Sequence, residues 1–146
     1  MVSTNKTDAF TTTSSSFVDI TGYNVSITPA SASSKVLISG GFYAGNSTAN
    51  NVRFKFFRDG TEIASGTGAT GVRINGLACS YHTNAQNYNY IGINFLDSPS
   101  STSAVVYKVQ ASAISTTFVL GHSYADSADA ANVYAASTLT AMEIGA

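Results

Sequence analysis

The residues of this chain best equipped for chemistry lie between Tyr81 and Tyr90, where Tyr81-His82-Thr83-Asn84-Ala85-Gln86-Asn87-Tyr88-Asn89-Tyr90 interleaves aromatic rings with carboxamides. Aromatic faces stack on sugar rings and amides bond vicinal hydroxyls, and the same mixture serves adaptable protein-binding loops. Tyr81, Asn84, Gln86, Asn87, Tyr88 and Tyr90 are therefore the candidate ligand-binding residues. The stretch from Tyr43 to Asn51, rich in Asn, Ser and Gly, would extend the same surface. The competing reading of Tyr81 to Tyr90 is a polar hairpin loop whose tyrosines cover the rim of the core.

Other chemistries find ingredients but no pattern. Serine is abundant and His82 and His122 are present, yet no Gly-x-Ser-x-Gly elbow occurs, so a hydrolase has no signature here. Glycosidase action needs two carboxylates about 5 to 10 Å apart. Of the eight acidic residues, Asp59 and Glu62 flank a turn and read as solvated charge. Cys79 and His82 offer a thiol and an imidazole, but a structural zinc site needs four ligands and no second pair is nearby. Cys79 alternates with Leu77 and Tyr81 and reads instead as a small buried residue. Asp126, Asp129 and Asn132 supply oxygens at a spacing that fits no calcium loop, so capping or solvation is their expected use. No catalytic residue, metal ligand or cofactor is assigned, and the chain reads as a non-enzyme. Arg53, Lys55 and Arg58 place three cations within six residues. Arg53 and Lys55 share a strand face, either solvated or set to pair with an acidic strip on a neighbouring subunit.

These residues must be positioned by a chain of 146 residues, long enough for one core, so residues 1–146 are read as a single domain. Apolar residues make up 44%, much of it alanine, so the core must rest on the 8 Phe, some of the 8 Tyr and the branched aliphatics. Charged residues are only 10%, while Ser and Thr make up about a quarter of the chain. A hydroxyl surface costs less to desolvate than a charged one, which suits packing against copies of itself or other proteins. A net charge of −1 gives no field to draw in nucleic acid or anionic lipid, and neither is expected as a partner. No apolar run approaches a membrane span, and Met1 to Lys6 lacks the apolar stretch of a signal peptide. The lone Cys79 makes no intrachain disulfide, and the sequons at Asn5, Asn24 and Asn46 are expected by chance in so Ser/Thr-rich a sequence.

Alternation with period two recurs, and sustained helical periodicity does not. Val105, Tyr107, Val109 and Ala111 share one face; Ile91, Ile93 and Phe95 another; Val52, Phe54 and Phe56 oppose Arg53 and Lys55. Each is a half-buried strand. Further strands are expected at Phe17 to Ile20, Tyr23 to Thr28, Val36 to Tyr43, Thr61 to Ala64, Val72 to Tyr81, Thr116 to Leu120 and Ser137 to Ile144. Arg58-Asp59-Gly60-Thr61 gives the sharpest hairpin signal, because Asp-Gly supplies the positive φ of a primed turn. Gly40-Gly41 inside a strand predicts a bulge or the close approach of another backbone. In the last strand Leu139, Met142 and Ile144 do not keep one parity, which predicts a bulge or two-sided burial. The segment from Ser123 to Asn132 reads as a long loop, or a helical turn. The two prolines, Pro29 and Pro99, each end an apolar run and open a tract of Ser, Thr and Ala that leads into another. Proline interrupts a ladder and Ser bonds its own backbone in turns, so both tracts read as corners crossing between sheets. About eight to eleven strands with such corners predict an all-β, antiparallel two-sheet sandwich of jelly-roll type.

In order along the chain stand Val2 to Thr13, Ser16-Phe17-Val18-Asp19-Ile20-Thr21-Gly22, the Pro29 corner, Phe57-Arg58-Asp59-Gly60-Thr61, Phe95-Leu96-Asp97-Ser98-Pro99, Ala104 to Gln110, and Thr138-Leu139-Thr140-Ala141-Met142-Glu143-Ile144. Together they resemble a β-sandwich module of tailed bacteriophages, common in phages of marine bacteria and cyanobacteria, chiefly as the C-terminal head of tail fibres. The resemblance implies a non-enzymatic virion structural protein without catalytic residues, a homotrimer made in the bacterial host cytoplasm and displayed on the virion surface. Its partners would be copies of itself and other virion proteins. A fibre shaft is missing from this sequence, so the expectation is either an excised fibre head or a small protein decorating a larger surface such as the capsid. The alternative function is a receptor-binding module that recognises host surface glycan through Tyr81 to Tyr90.

Overall fold

The alternating apolar residues sort the chain into strands with one face turned inward. The computed structural model describes residues 1–126 and 133–145. Its strands are β1 (Val2–Lys6), β2 (Phe10–Thr12), β3 (Val18–Ile27), β4 (Lys35–Asn46), β5 (Asn51–Arg58), β6 (Thr61–Ile63), β7 (Ala78–Tyr81), β8 (Tyr88–Asp97), β9 (Val105–Ala113), β10 (Phe118–Leu120) and β11 (Ser137–Ile144). All pairings are antiparallel. One sheet, here the A sheet, runs β1, β11, β4, β8, with β10 continuing the β11 side of β4 and β2 added to β10. The B sheet runs β3, β9, β5, and β6 and β7 share the far side of β5. That order is the jelly-roll arrangement of two packed antiparallel sheets expected from the sequence.

Both proline corners cross between sheets, Pro29 from β3 to β4 and Pro99 from β8 to β9. The hydroxyls turn the chain as expected: Ser33 N donates to Ser31 Oγ at 3.2 Å, and Ser103 N to Ser101 Oγ at 3.0 Å. Each corner is also tied by a carboxylate. Glu143 accepts from Ala30 N at 2.7 Å, and Asp97, just before Pro99, accepts from Arg58 at 2.9 Å and from the Tyr107 hydroxyl at 2.7 Å.

Between the sheets, aromatic rings alternate sides. Tyr23 meets Phe42 at 5.5 Å, Phe42 meets Phe54 at 4.9 Å and Phe54 meets Phe118 at 5.4 Å, all edge-to-face, a geometry favoured by ring quadrupoles. The expected inward faces of β5 and β9 are buried: Val52, Phe54 and Phe56, and Val105 through Ala113 at alternate positions. The β5–β6 hairpin turns on Asp59-Gly60, with Asp59 at φ 51° and Arg58 paired with Thr61. Gly40 shows the close approach expected of it: a Cβ there would lie 2.1 Å from the Thr138 carbonyl oxygen of β11.

Four expectations need correction. Only Ala78–Tyr81 of the expected Val72 to Tyr81 strand pairs; Val72 and Ile74 are exposed, and glycines at 71 and 76 flank them in a loop. The two strands expected between Phe17 and Thr28 are one strand, β3, with a register shift between Asp19 and Asn24 where Gly22 takes φ +78°. β11 has neither a bulge nor two-sided burial: Ser137, Leu139 and Ala141 are buried, whereas Met142 and Ile144 are exposed on the outer face. Cys79 is exposed, because Ser80 rather than Cys79 takes the inward position of β7. The long loop expected at Ser123 to Asn132 falls partly outside the described residues.

Candidate functional site

The Tyr81 to Tyr90 segment is not a hairpin within one sheet; it carries the chain from β7 in the B sheet to β8 in the A sheet. Its candidate residues therefore divide between two faces. Tyr81 is exposed on β7, opposite Asn51 of β5. Tyr88 and Tyr90 lie on the outer face of the A sheet, where β4 adds Tyr43. The Tyr43 ring stands 5.5 Å from Tyr88 and 5.2 Å from Tyr90. Tyr90 lies down over Gly41, its hydroxyl directed at the Gly40 carbonyl; a Cβ on Gly41 would fall 2.3 Å from the Tyr90 oxygen. Glycine at 41 is thus the seat of the ring, and three tyrosines form one aromatic group at the β8 edge, Tyr90 exposed and Tyr43 and Tyr88 half-buried.

The amides do local work. Asn84 Oδ1 accepts from Gln86 N at 3.0 Å and Asn87 N at 3.2 Å, and Asn87 Nδ2 donates to Thr83 Oγ1 at 2.9 Å. Side chains of Asn84 and Asn87 thereby shape the loop, while Gln86 is exposed. The loop is fixed to its neighbour by Ala125 N donating to the Ala85 carbonyl at 2.8 Å.

Beneath this surface sits a polar group that the sequence reading did not single out. Ser80 Oγ and His82 Nε2 are 2.8 Å apart, and Asn89 Nδ2 donates to the same Ser80 Oγ at 3.0 Å. The Ser80 hydroxyl accepts from Asn89 and shares a hydrogen bond with His82 Nε2 whose direction follows the imidazole tautomer. A serine and a base in contact invite comparison with a nucleophile, but Ser80 and His82 are 3% and 1% exposed. The arrangement holds β7 to β8 across the sandwich. The period-two spacing of Ser80 and His82 was the available signal, masked by assigning the inward parity to Cys79.

Cations once grouped as a trio have separate partners. Arg58 bonds Asp97, Lys55 pairs with Glu62 at 2.6 Å, and Arg53 donates to Ser112 Oγ and to the Ser15 carbonyl. Arg53 and Lys55 share the outer face as expected, with the Phe17 ring against both at 5.4 and 5.0 Å. Asp59, read as solvated, accepts from Val106 N at 2.9 Å. Cys79 is exposed on β7 whereas His82, just past the end of that strand, is buried, and no cluster of metal-ligating side chains occurs among the described residues. Asp126 accepts from the Tyr134 hydroxyl at 2.5 Å, whereas Asp129 and Asn132 lie outside the described residues.

The outer faces of the two sheets differ in kind. The B face carries Asp19, Arg53, Lys55, Glu62 and Lys108. Across the A face, registered rows read Leu96–Leu37–Met142, then Asn94–Ser39–Thr140, then Tyr90–Tyr43. Leu96 and Met142 are 48% and 37% exposed, and between Leu37 and Tyr43 the outward residues of β4 carry no charge.

No protein-family model matches the chain, and no curated protein matches it. Among solved structures, one chain from the structure of infectious bursal disease virus Gt strain is similar to it at 14% identity and a TM-score of 0.47. The match covers 99% of this chain and 37% of that one.

Proposed function

We propose that this protein is a non-enzymatic structural component of a bacteriophage virion, a homotrimer displayed on the particle surface as a capsid decoration or a fibre tip. The observation that carries the reading is the outer face of the A sheet. Its rows of Leu, Met, Tyr, Ser, Thr and Asn desolvate cheaply, and β8 ends the sheet with an unpaired edge among the described residues. Such a surface favours contact with protein over chemistry in solution. The resemblance of the ordered sequence motifs to those of phage fibre heads supports the virion context. Mechanistically, a protein that binds only the assembled particle stabilises it by mass action, since dissociation must also break the added contacts.

Locating the chain in a density map of whole particles tests the reading, together with the mass of the purified protein in solution. Density at capsid lattice points or at fibre tips and a trimeric mass are expected. A monomer at micromolar concentration that is absent from particles would overturn it.

A second reading, recognition of host surface glycan, is favoured by the Tyr43, Tyr88 and Tyr90 group, in which the exposed Tyr90 ring, flanked by the half-buried Tyr43 and Tyr88, offers an apolar face to a sugar. Tyr88→Ala should then abolish adsorption to host cells while leaving the fold and oligomer intact. Equal binding by wild type and variant would remove the loop from consideration.

A further inference from the structure

Seven residues of the chain are Lys or Arg, and four of them sit in ion pairs of 2.9 Å or less: Lys6 with Asp8, Lys55 with Glu62, Arg58 with Asp97 and Lys108 with Asp19. Three have no carboxylate partner among the described residues: Lys35, Arg53 and Arg73. Two of these three line the same cavity. It has a volume of about 510 Å³ and lies between the segment 72–76 and the outer face of β5 and β7. Asn51, Val72, Ile74, Cys79 and Ile114 are among its other lining residues, and no acidic residue is.

Two cations without a carboxylate partner at one concave, partly apolar site draw an anionic ligand towards it. Arg53 is already oriented for that purpose. Its Nε and Nη2 are held by Ser112 Oγ and the Ser15 carbonyl, with the Phe17 ring against the guanidinium, which leaves Nη1 without a protein acceptor among the described residues. Arg73 lines the same cavity from the loop, with Val72 and Ile74 exposed beside it. These accessible walls are aliphatic; the one aromatic residue lining the cavity, Phe54, is buried in the core. Aliphatic walls suit leucine- or valine-like side chains, whereas a sugar would call for an aromatic platform. We propose that this cavity docks an acidic, aliphatic peptide segment of a partner protein, its carboxylates received by Arg53 and Arg73. The inference rests on the structural reading above only in taking the partner to be a protein.

The test is a nuclear magnetic resonance titration of the full chain with a blocked peptide alternating glutamate and leucine, against its glutamine counterpart. The glutamate peptide should shift resonances of residues 51–53 and 72–79, bind at least about tenfold more tightly than the glutamine peptide, and weaken as salt is raised. Arg73→Gln should weaken binding about tenfold. This exposed side chain makes no contact on which the fold depends, so the variant separates charge from stability, which Arg53→Gln alone would not. Equal binding of the two peptides, unchanged affinity in Arg73→Gln, or a glucuronate oligosaccharide binding there when the peptide does not would overturn the proposal. Because the readout uses the isolated chain, it can fail while the protein is still found on particles, and the converse holds equally.

Discussion

Asp97 is the residue on which the second proline corner depends. It is 6% exposed, accepts from Arg58 and from the Tyr107 hydroxyl, and so ties the end of β8 to both β5 and β9. Burial, and then the bond to Asp97, hold the Tyr107 phenol well above its ordinary range, so it stays a donor at all working pH values. Removing the carboxylate takes away the acceptor shared by the Arg58 guanidinium and the Tyr107 phenol, leaving Arg58 only its long bond to the Ser98 carbonyl at 3.4 Å. Asp97→Ala should therefore lose about 3 kcal/mol in urea unfolding, as expected for breaking a largely buried ion pair. His82 carries a pH dependence. Burial holds its imidazole below the ordinary value of 6.5, so in acid the unfolded chain takes up a proton that the folded one refuses. The stability supplied by neutral His82 is complete above that value and declines as the pH falls below it. Calorimetry between about pH 7 and about pH 5 should show a steeper fall in Tm for wild type than for His82→Gln. Parallel curves would show that His82 titrates alike in both states.

At the scale of elements, β4 is the central strand of the A sheet, pairing with β11 and β10 on one side and β8 on the other. Its two glycines are placed by two different demands. Gly40, at φ +152°, lets the β11 backbone approach; Gly41 makes room for the Tyr90 ring. Gly40→Ala would drive a Cβ into the Thr138 carbonyl and impose a conformation that L side chains rarely adopt, and should cost about 3 kcal/mol. Gly68→Ala, where an added Cβ meets nothing, should stay within about 0.5 kcal/mol in the same thermal unfolding series. The loop from β7 to β8 illustrates how much of an element its connections decide. Its Asn residues looked available for a ligand, but two of them cap the loop's own backbone and side chains.

For the whole molecule, the decisive property is the contrast between the two outer faces, ion-paired on the B sheet and nearly uncharged on the A sheet. If copies associate through the A face, Leu37 and Leu96 lie in the row that becomes buried. Burying a leucine contributes about 1.5 to 3 kcal/mol, and about 1.4 kcal/mol is tenfold in affinity. The double variant Leu37→Lys, Leu96→Lys should weaken self-association at least about a hundredfold in analytical ultracentrifugation while keeping the β signature of its circular dichroism. An oligomer of unchanged affinity would place the interface on another surface.

The sequence by itself determined the strands whose one-sided burial writes alternation into the chain: β5, β9 and β8, the Asp59-Gly60 hairpin, and both proline corners with their serine turns. These depend on local backbone chemistry and on period-two patterning, which need no knowledge of partners. Parity failed where the pattern was ambiguous, at Cys79 against Ser80, because a buried serine with a histidine and an asparagine to satisfy it looks no different in sequence from an exposed one. It failed again at Val72 and Ile74, whose branched side chains favour a strand that has no neighbour to pair with. Only the tertiary structure decided which face of the A sheet carries Met142 and Ile144, that Tyr43 joins Tyr88 and Tyr90, and that Arg53 and Arg73 line one cavity. Those facts arise from strand register and loop crossings between residues far apart in the chain, and spacing along the sequence does not encode them.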